Sequence, residues 1–212
     1  MWGGRRKLPV IAEISAAASG EDRVWSLRRR DLEAFGGLLE ELRGARSVLV
    51  TGLAPGRRQA AVGLAAAAAA AGTRTALLEC DLVEPGLADA LGLANAPGLH
   101  EYLRGSADSD SILKPVVLAG PGSTAATEPL VCVVAGRPTS DGPRLFASDA
   151  FAQALSGLCA AYDLLVVDGP GLDQWSSLTL VMAHADMTIA CLGRADSRRQ
   201  LSVPVAGIVI QG

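Results

Sequence analysis

The sequence predicts a three-layer α/β domain with a mostly parallel central sheet and helices on both faces. Short β-branched or Leu-rich runs alternate with helical stretches along the chain, the pattern of successive βαβ units. Half of the 212 residues are hydrophobic while only 4% are aromatic. The apolar content is therefore Ala, Leu and Val, as helices packed on a buried parallel sheet require. A chain of this length suits one domain with a single core.

Each element follows from local pattern. Residues 8–14 (LPVIAEI) read as an extended segment, and a charged helix is expected from about Asp22 to Arg43. Residues 47–53 (SVLVTGL) form the first strand of the main unit, followed by a Pro-Gly turn. A helix then starts at about Arg57 and runs through Ala71, closed by Gly72. Further strands fall at 75–80, 130–134, 164–167, 187–192 and 205–210. Helices are expected at 85–91, around 99–104, and at 149–162, the last capped by Ser148 or Asp149. Residues 120–129 (GPGSTAATEP) form a polar surface loop. The connection 193–203 is short for a parallel crossover, which takes a dozen or more residues. Residues 1–46 stand apart as an extended segment and charged helix before the α/β unit 47–212, the whole forming one compact body.

Charge and cysteine usage narrow the class. The net charge of −3 advertises no nucleic-acid partner. Arg5, Arg6 and Lys7, and later Arg28, Arg29 and Arg30, make two basic clusters. Each is either a solvated surface or a contact for anionic lipid or an acidic partner. Cys80, Cys132, Cys159 and Cys191 sit in apolar runs without a CxxC pair, which suits buried thiols in a reducing cytoplasm. The most hydrophobic stretch, 60–71, is too short to span a bilayer, and the basic start lacks a signal-peptide core. The expectation is a cytoplasmic protein without a transmembrane segment. His100 and His184 are placed in helices, far apart and without ligand spacing, so neither marks a metal site. Trp25 and Trp175 are assigned to packing or partner contact.

In a parallel sheet of this kind ligands bind at the carboxyl ends of the strands, and three segments converge there. One is the strand-turn-helix VLVTGLAPGRRQAAVGLA (48–65), whose Pro55, Gly56, Arg57, Arg58, Gln59, Ala60 and Ala61 occupy the place of a phosphate-binding loop. Such a loop wraps phosphate with backbone N–H groups, holds it with a Lys, and ligates magnesium through a Ser or Thr hydroxyl. The second segment, LLECDLVEP, carries Glu79 and Asp81. The third, YDLLVVDGPG, ends its strand on Asp168, where a carboxylate commonly orients magnesium and water.

These segments resemble the cytoplasmic domain of the bacterial tyrosine kinases that control capsule and exopolysaccharide synthesis, within the MinD/ParA group of deviant P-loop ATPases. The family pattern reads PGEGKST, then DAD-L-R-x-P, then an apolar strand ending in D-x-P-P. Here these become PGRRQAA (55–61), ECDLVEPGL (79–87) and VVDGPG (166–171). Further agreement lies in LPVIAEI, WSLRRRDLEAF (25–35), GLANAPGLHEYLRG (92–105) and GPRLFASDAFAQAL (142–155). The resemblance implies ATP with Mg2+ as ligand, Asp81 and Asp168 as catalytic and metal-side carboxylates, and residues 55–61 as the phosphate cradle.

The departures bear directly on that chemistry. Gln59 stands at the family's Lys, Ala60 at its magnesium-binding hydroxyl, and Arg58 at the last loop glycine, while Glu79 replaces an Asp. Phosphoryl transfer rests on positioning and charge neutralisation, so these losses argue against efficient hydrolysis or phosphotransfer. The family usually carries a Tyr-rich tail, whereas the two tyrosines here, Tyr102 and Tyr162, both fall in segments expected to be structured. Gln211 matches the family's Asn near the adenine. Three readings stay open. The first is a degenerate ATPase-like protein with a regulatory or scaffolding role in polysaccharide synthesis. It would self-associate or bind a membrane polysaccharide co-polymerase through the element holding Trp25, Arg28, Arg29 and Arg30, at the inner face of the membrane. The second is an active autokinase or ATPase using Arg57 or Arg58 in place of Lys. The third is a partitioning ATPase of the MinD/ParA type.

Overall fold

A computed structural model describes residues 10–14, 29–53, 56–116, 130–193 and 205–211. Eight strands form one sheet: β1 (Val10–Ile14), β2 (Ser47–Gly52), β3 (Thr75–Glu79), β4 (Lys114–Val116), β5 (Leu130–Val133), β6 (Leu164–Asp168), β7 (Met187–Gly193) and β8 (Gly207–Gln211). Their spatial order is β1-β8-β7-β2-β6-β3-β5-β4. All neighbours pair in parallel save β4, which lies antiparallel to β5. Between the strands run α1 (Arg29–Glu41), α2 (Arg57–Ala70), α3 (Leu87–Leu91), α4 (Leu99–Leu103), α5 (Ser109–Ile112), α6 (Gly142–Phe146), α7 (Asp149–Ala161) and α8 (Trp175–Met182).

Strand alternation sorts the core into two layers. Val48 and Val50 of β2, Leu77 of β3, Val166 of β6 and Ile189 of β7 pack on α1 and α2. Leu49, Leu78, Val167 and Ala190, one register away, pack on the opposite face against residues of α4, α6, α7 and α8. Both faces being covered, the strands read as near-continuous apolar runs. The α2 helix is buried from Ala60 to Ala69 because its alanines lie between the sheet and α1. Close approach is specified at Gly63, where an added Cβ would stand 2.2 Å from the Phe35 ring. In α7 the Ser148 hydroxyl caps the first turn, accepting from the Phe151 amide, and Phe151 and Leu155 bury the inward stripe.

The expected strands and longer helices are present within one or two residues of their assigned ends. The described part of the charged helix is Arg29–Glu41; its expected start lies outside the described residues, as do the 120–129 loop and the 194–204 connection. The extended segment becomes β1, paired with β8. Sequence reading does not assign β4, α5, α6 or α8, all short. Pro115 opposes Val131 inside β4, and a residue without an amide hydrogen is tolerated there because β4 is an edge strand. His100 lies in α4 as expected, but His184 stands in the turn after α8, edge-on to the Phe151 ring, and not inside a helix.

The topology places a ligand crevice. The connection from β2 crosses by α2 to β3 on one side, while the connection from β6 crosses by α8 to β7 on the other. Since β2 and β6 are neighbours and crossovers keep one hand, the following helices lie on opposite faces and the loops diverge above this strand pair.

Candidate phosphate-loop site

Three carboxylates gather at that crevice. Glu79 ends β3 and is the register partner of Asp168, which ends β6; Asp81 follows two residues beyond Glu79. The strands deliver them to one edge because parallel neighbours in register finish together. Each residue is at most 1% exposed. Buried carboxylates so close need counter-charge or protons.

The counter-charge comes from the first turn of α2. Arg57 donates to Asp81 Oδ2 at 2.5 Å, and its Nε faces Asp168 Oδ1 at 3.5 Å. Arg58 donates through Nε to Asp168 Oδ2 at 3.2 Å and through Nη2 to the Glu84 carbonyl at 2.9 Å. The same Nη2 lies 3.4 Å from Glu79 Oε1. The two side chains are only 14% and 25% exposed. Both guanidiniums therefore point down into the acidic cluster, which the expectation of phosphate-facing arginines did not anticipate. A buried acid offers more Coulomb stabilisation than bulk solvent, and the planar fork can engage two carboxylates together.

The carboxylates differ in what else they hold. Glu79 Oε1 accepts the Gly86 and Leu87 amides at 2.6 and 2.8 Å, and Oε2 accepts the Ala135 amide at 2.9 Å. It thereby ties β3 to the start of α3 and to the residues just beyond β5. The extra methylene of Glu over Asp carries its oxygens to these amides. Asp81 Oδ1 accepts the Glu84 amide and the Gln174 side-chain amide, at 3.1 and 3.0 Å. Asp168 has only the guanidiniums: its Oδ1 and Arg57 Nε are both buried and make no hydrogen bond, the 3.5 Å approach being an ion pair without alignment. Burial is the main cause that pushes the Asp168 carboxyl up to about 6, against the pull of Arg57 and Arg58 and with the help of Glu79 and Asp81.

The remaining loop positions are distributed around this cluster. Pro55 lies outside the described residues, Gly56 is the residue before α2, Gln59 is half-buried, and Ala60 and Ala61 are in the core. Of the expected interface residues, Trp25 and Arg28 fall outside the described residues, while Arg29 and Arg30 open α1. Gln174 and Glu84 complete the site and were not selected from sequence. The only local signal is that each follows an acidic strand end within a few residues. Leu53, Val83 and Trp175, the exposed large hydrophobics among the described residues, follow β2, β3 and β6 around the same edge. Three cysteines lie beside the cluster and stay protonated: burial, with the neighbouring Asp168, Glu79 and Asp81, pushes the Cys80 thiol well up, and burial raises the Cys132 thiol to about 12 and the Cys191 thiol to about 11. His100 Nδ1 lies 2.8 Å from the Arg137 carbonyl, away from the carboxylates.

Measured against a magnesium-bound phosphate, the positions offer no ammonium and no hydroxyl, and the acidic groups are already paired with arginine. Backbone donors at the α2 start remain.

Fold and crevice together define a P-loop NTPase-like α/β domain of the MinD type. Within that class the chain resembles, in sequence and in fold, the cytoplasmic kinase domain of bacterial tyrosine kinases. It is 24% identical over 144 residues to the tyrosine-protein kinase wzc of Salmonella typhimurium, a match covering 67% of this chain and 19% of that protein. The fold matches the chimerical protein CapA2B2 with a TM-score of 0.76 at 18% identity, over 96% of this chain and 94% of that one. The kinase domain of the Escherichia coli tyrosine kinase ETK gives 0.75 at 18% identity, over 97% and 90%. MinD of Pyrococcus horikoshii, solved with Mg-ADP, gives 0.54 at 15% identity, over 77% and 80%. No protein-family model matches the chain. Among the described residues no helix is long and apolar enough to cross a membrane.

Proposed function

We propose that this protein is a regulatory or scaffolding member of the exopolysaccharide machinery that retains the tyrosine-kinase fold without its phosphoryl transfer. One observation carries the reading: Arg57 and Arg58, the cations nearest the phosphate position, are committed to Asp81, Asp168 and Glu79. Binding Mg-nucleotide would require breaking these pairs and then holding phosphate without the Lys or the hydroxyl. Each loss removes charge-assisted contacts, whose absence in active sites commonly costs two to three orders of magnitude in rate, about 10²–10³. The reading places the protein in the cytoplasm. It acts there by contact, either with itself or with a membrane polysaccharide co-polymerase through the start of α1.

Calorimetry with Mg-ATP and Mg-ADP tests it. No binding heat is expected at millimolar nucleotide. Micromolar affinity that disappears in Arg58→Ala would instead overturn the reading in its strict form and establish a nucleotide site in which arginine replaces lysine. The polysaccharide assignment is tested by deleting the gene and restoring either the wild type or Asp168→Asn. A scaffold restores polymer with both, whereas a kinase restores it only with the wild type.

A further inference from the structure

We propose that Arg57 and Arg58 form a built-in cation site filler, a guanidinium pair that orders the carboxyl edge of the sheet in place of any bound ligand. The inference rests on the reading above and assigns a role to the residues that reading sets aside.

The geometry supports it at each contact. The pair reaches all three buried carboxylates, and these in turn reach outward. Glu79 holds the amides at the start of α3 and beyond β5, and Asp81 holds the Glu84 amide and Gln174 just before α8. One cluster thus joins the start of α2 to β3, β6, α3, the end of β5 and α8. Without the arginines, three carboxylates at most 1% exposed would face one another with no cation. The surroundings are shaped for the guanidiniums. A Cβ on Gly86 would stand 2.5 Å from Arg58 Nη1, and one on Gly171 would stand 2.3 Å from Asp173 Oδ1 and 3.0 Å from Arg57 Nη1. Gly86 thus leaves room for the Arg58 guanidinium, and Gly171 for Arg57 and Asp173 together. Neither residue is needed for phosphate in this arrangement, since the groups point into the protein.

Chemical rescue tests the proposal on the full chain. Arg58→Ala and Arg57→Ala are each expected to lower Tm by roughly 5–15 °C, the scale for removing one partner of a buried charge pair in a domain of this size. Millimolar methylguanidinium should restore part of that loss in the variants, whereas neutral N-methylurea of similar shape should not. The wild type should respond to neither, nor to millimolar Mg2+. If a variant does not fold, refolding is repeated with methylguanidinium, and failure there counts against the proposal. It is overturned if Tm is unchanged in both variants, if the urea rescues as well as the cation, or if Mg2+ stabilises the wild type. Nucleotide binding to the wild type would end both readings, since it requires these pairs to break. An unchanged Tm in the variants without nucleotide binding would end the cation reading alone.

Discussion

At the scale of single residues, the first turn of α2 decides the site through Arg58 and Gln59. Under the proposed function Gln59 offers phosphate no ammonium group, while Arg58 supplies a long cation that the acidic crevice captures. Asp168 registers this balance. Its carboxyl is raised from 3.8 to about 6, chiefly by burial, so the folded state holds its proton more tightly than the unfolded chain does. The sign follows. Its contribution to stability is complete below about 4 and is lost as pH rises through about 6. Asp168→Asn cannot titrate there. Thermal unfolding of both proteins across this window should show the wild type losing stability relative to the variant as pH increases. Parallel profiles would mean that Asp168 titrates normally. Asp186 has the opposite sign. It accepts the Arg46 and Ser47 amides, which with Ser47 hold its carboxyl below the usual range, and it should cost stability only on acidification.

At the scale of elements, α2 shows how context reverses propensity. Gly63 sits inside an alanine-rich helix, where Gly→Ala normally stabilises by about 1 kcal/mol. Here the added methyl would enter the Phe35 ring of α1, at 2.2 Å. Overpacking of this kind costs about 1–3 kcal/mol. Gly63→Ala is therefore expected to destabilise, as read by denaturant midpoint at unchanged m-value. Adding Phe35→Leu should make the pair less costly than the sum of its single substitutions, since the two side chains share one space. A stabilised Gly63→Ala would show that α1 and α2 separate more freely than this packing allows.

At the scale of the whole molecule, the crevice formed by the divergence above β2 and β6 is filled, while its rim remains apolar. Leu53, Val83 and Trp175 are 42%, 46% and 47% exposed around that rim. Singly exposed apolar residues are ordinary, but three at one edge of a site that holds its own cations suit a protein acting by contact. Leu53→Ser should leave stability within about 0.5 kcal/mol, and Trp175→Ser, whose indole is about half covered, should cost about 1–2 kcal/mol without unfolding the domain. If the rim adds to the proposed contact, the same pair should weaken recovery of the protein with membranes that carry the proposed polysaccharide co-polymerase. Unchanged recovery would leave the proposed contact to the start of α1 alone.

Much of this was written in local sequence. Short near-continuous apolar runs specified β2, β3, β5, β6 and β7, because a strand buried on both faces can hardly be composed otherwise. The Pro-Gly turn and the Ala-rich run specified α2, and the residues of 55–61 already showed that lysine and hydroxyl were missing. Short elements such as β4 and α8 were not legible, since a few residues carry too little periodicity to outweigh tertiary context. The direction of Arg57 and Arg58 was likewise invisible. Their partners lie 24 and 110 residues away, and nothing in a linear pattern says whether an arginine at a helix start turns outward to phosphate or inward to acid. Only the sheet, by finishing β3 and β6 side by side, created the buried negative charge that decides it. The sequence alone determined that residues 55–61 carry neither a lysine nor a hydroxyl, whereas the tertiary structure decided that their two arginines turn inward to the buried acids at the carboxyl ends of β3 and β6.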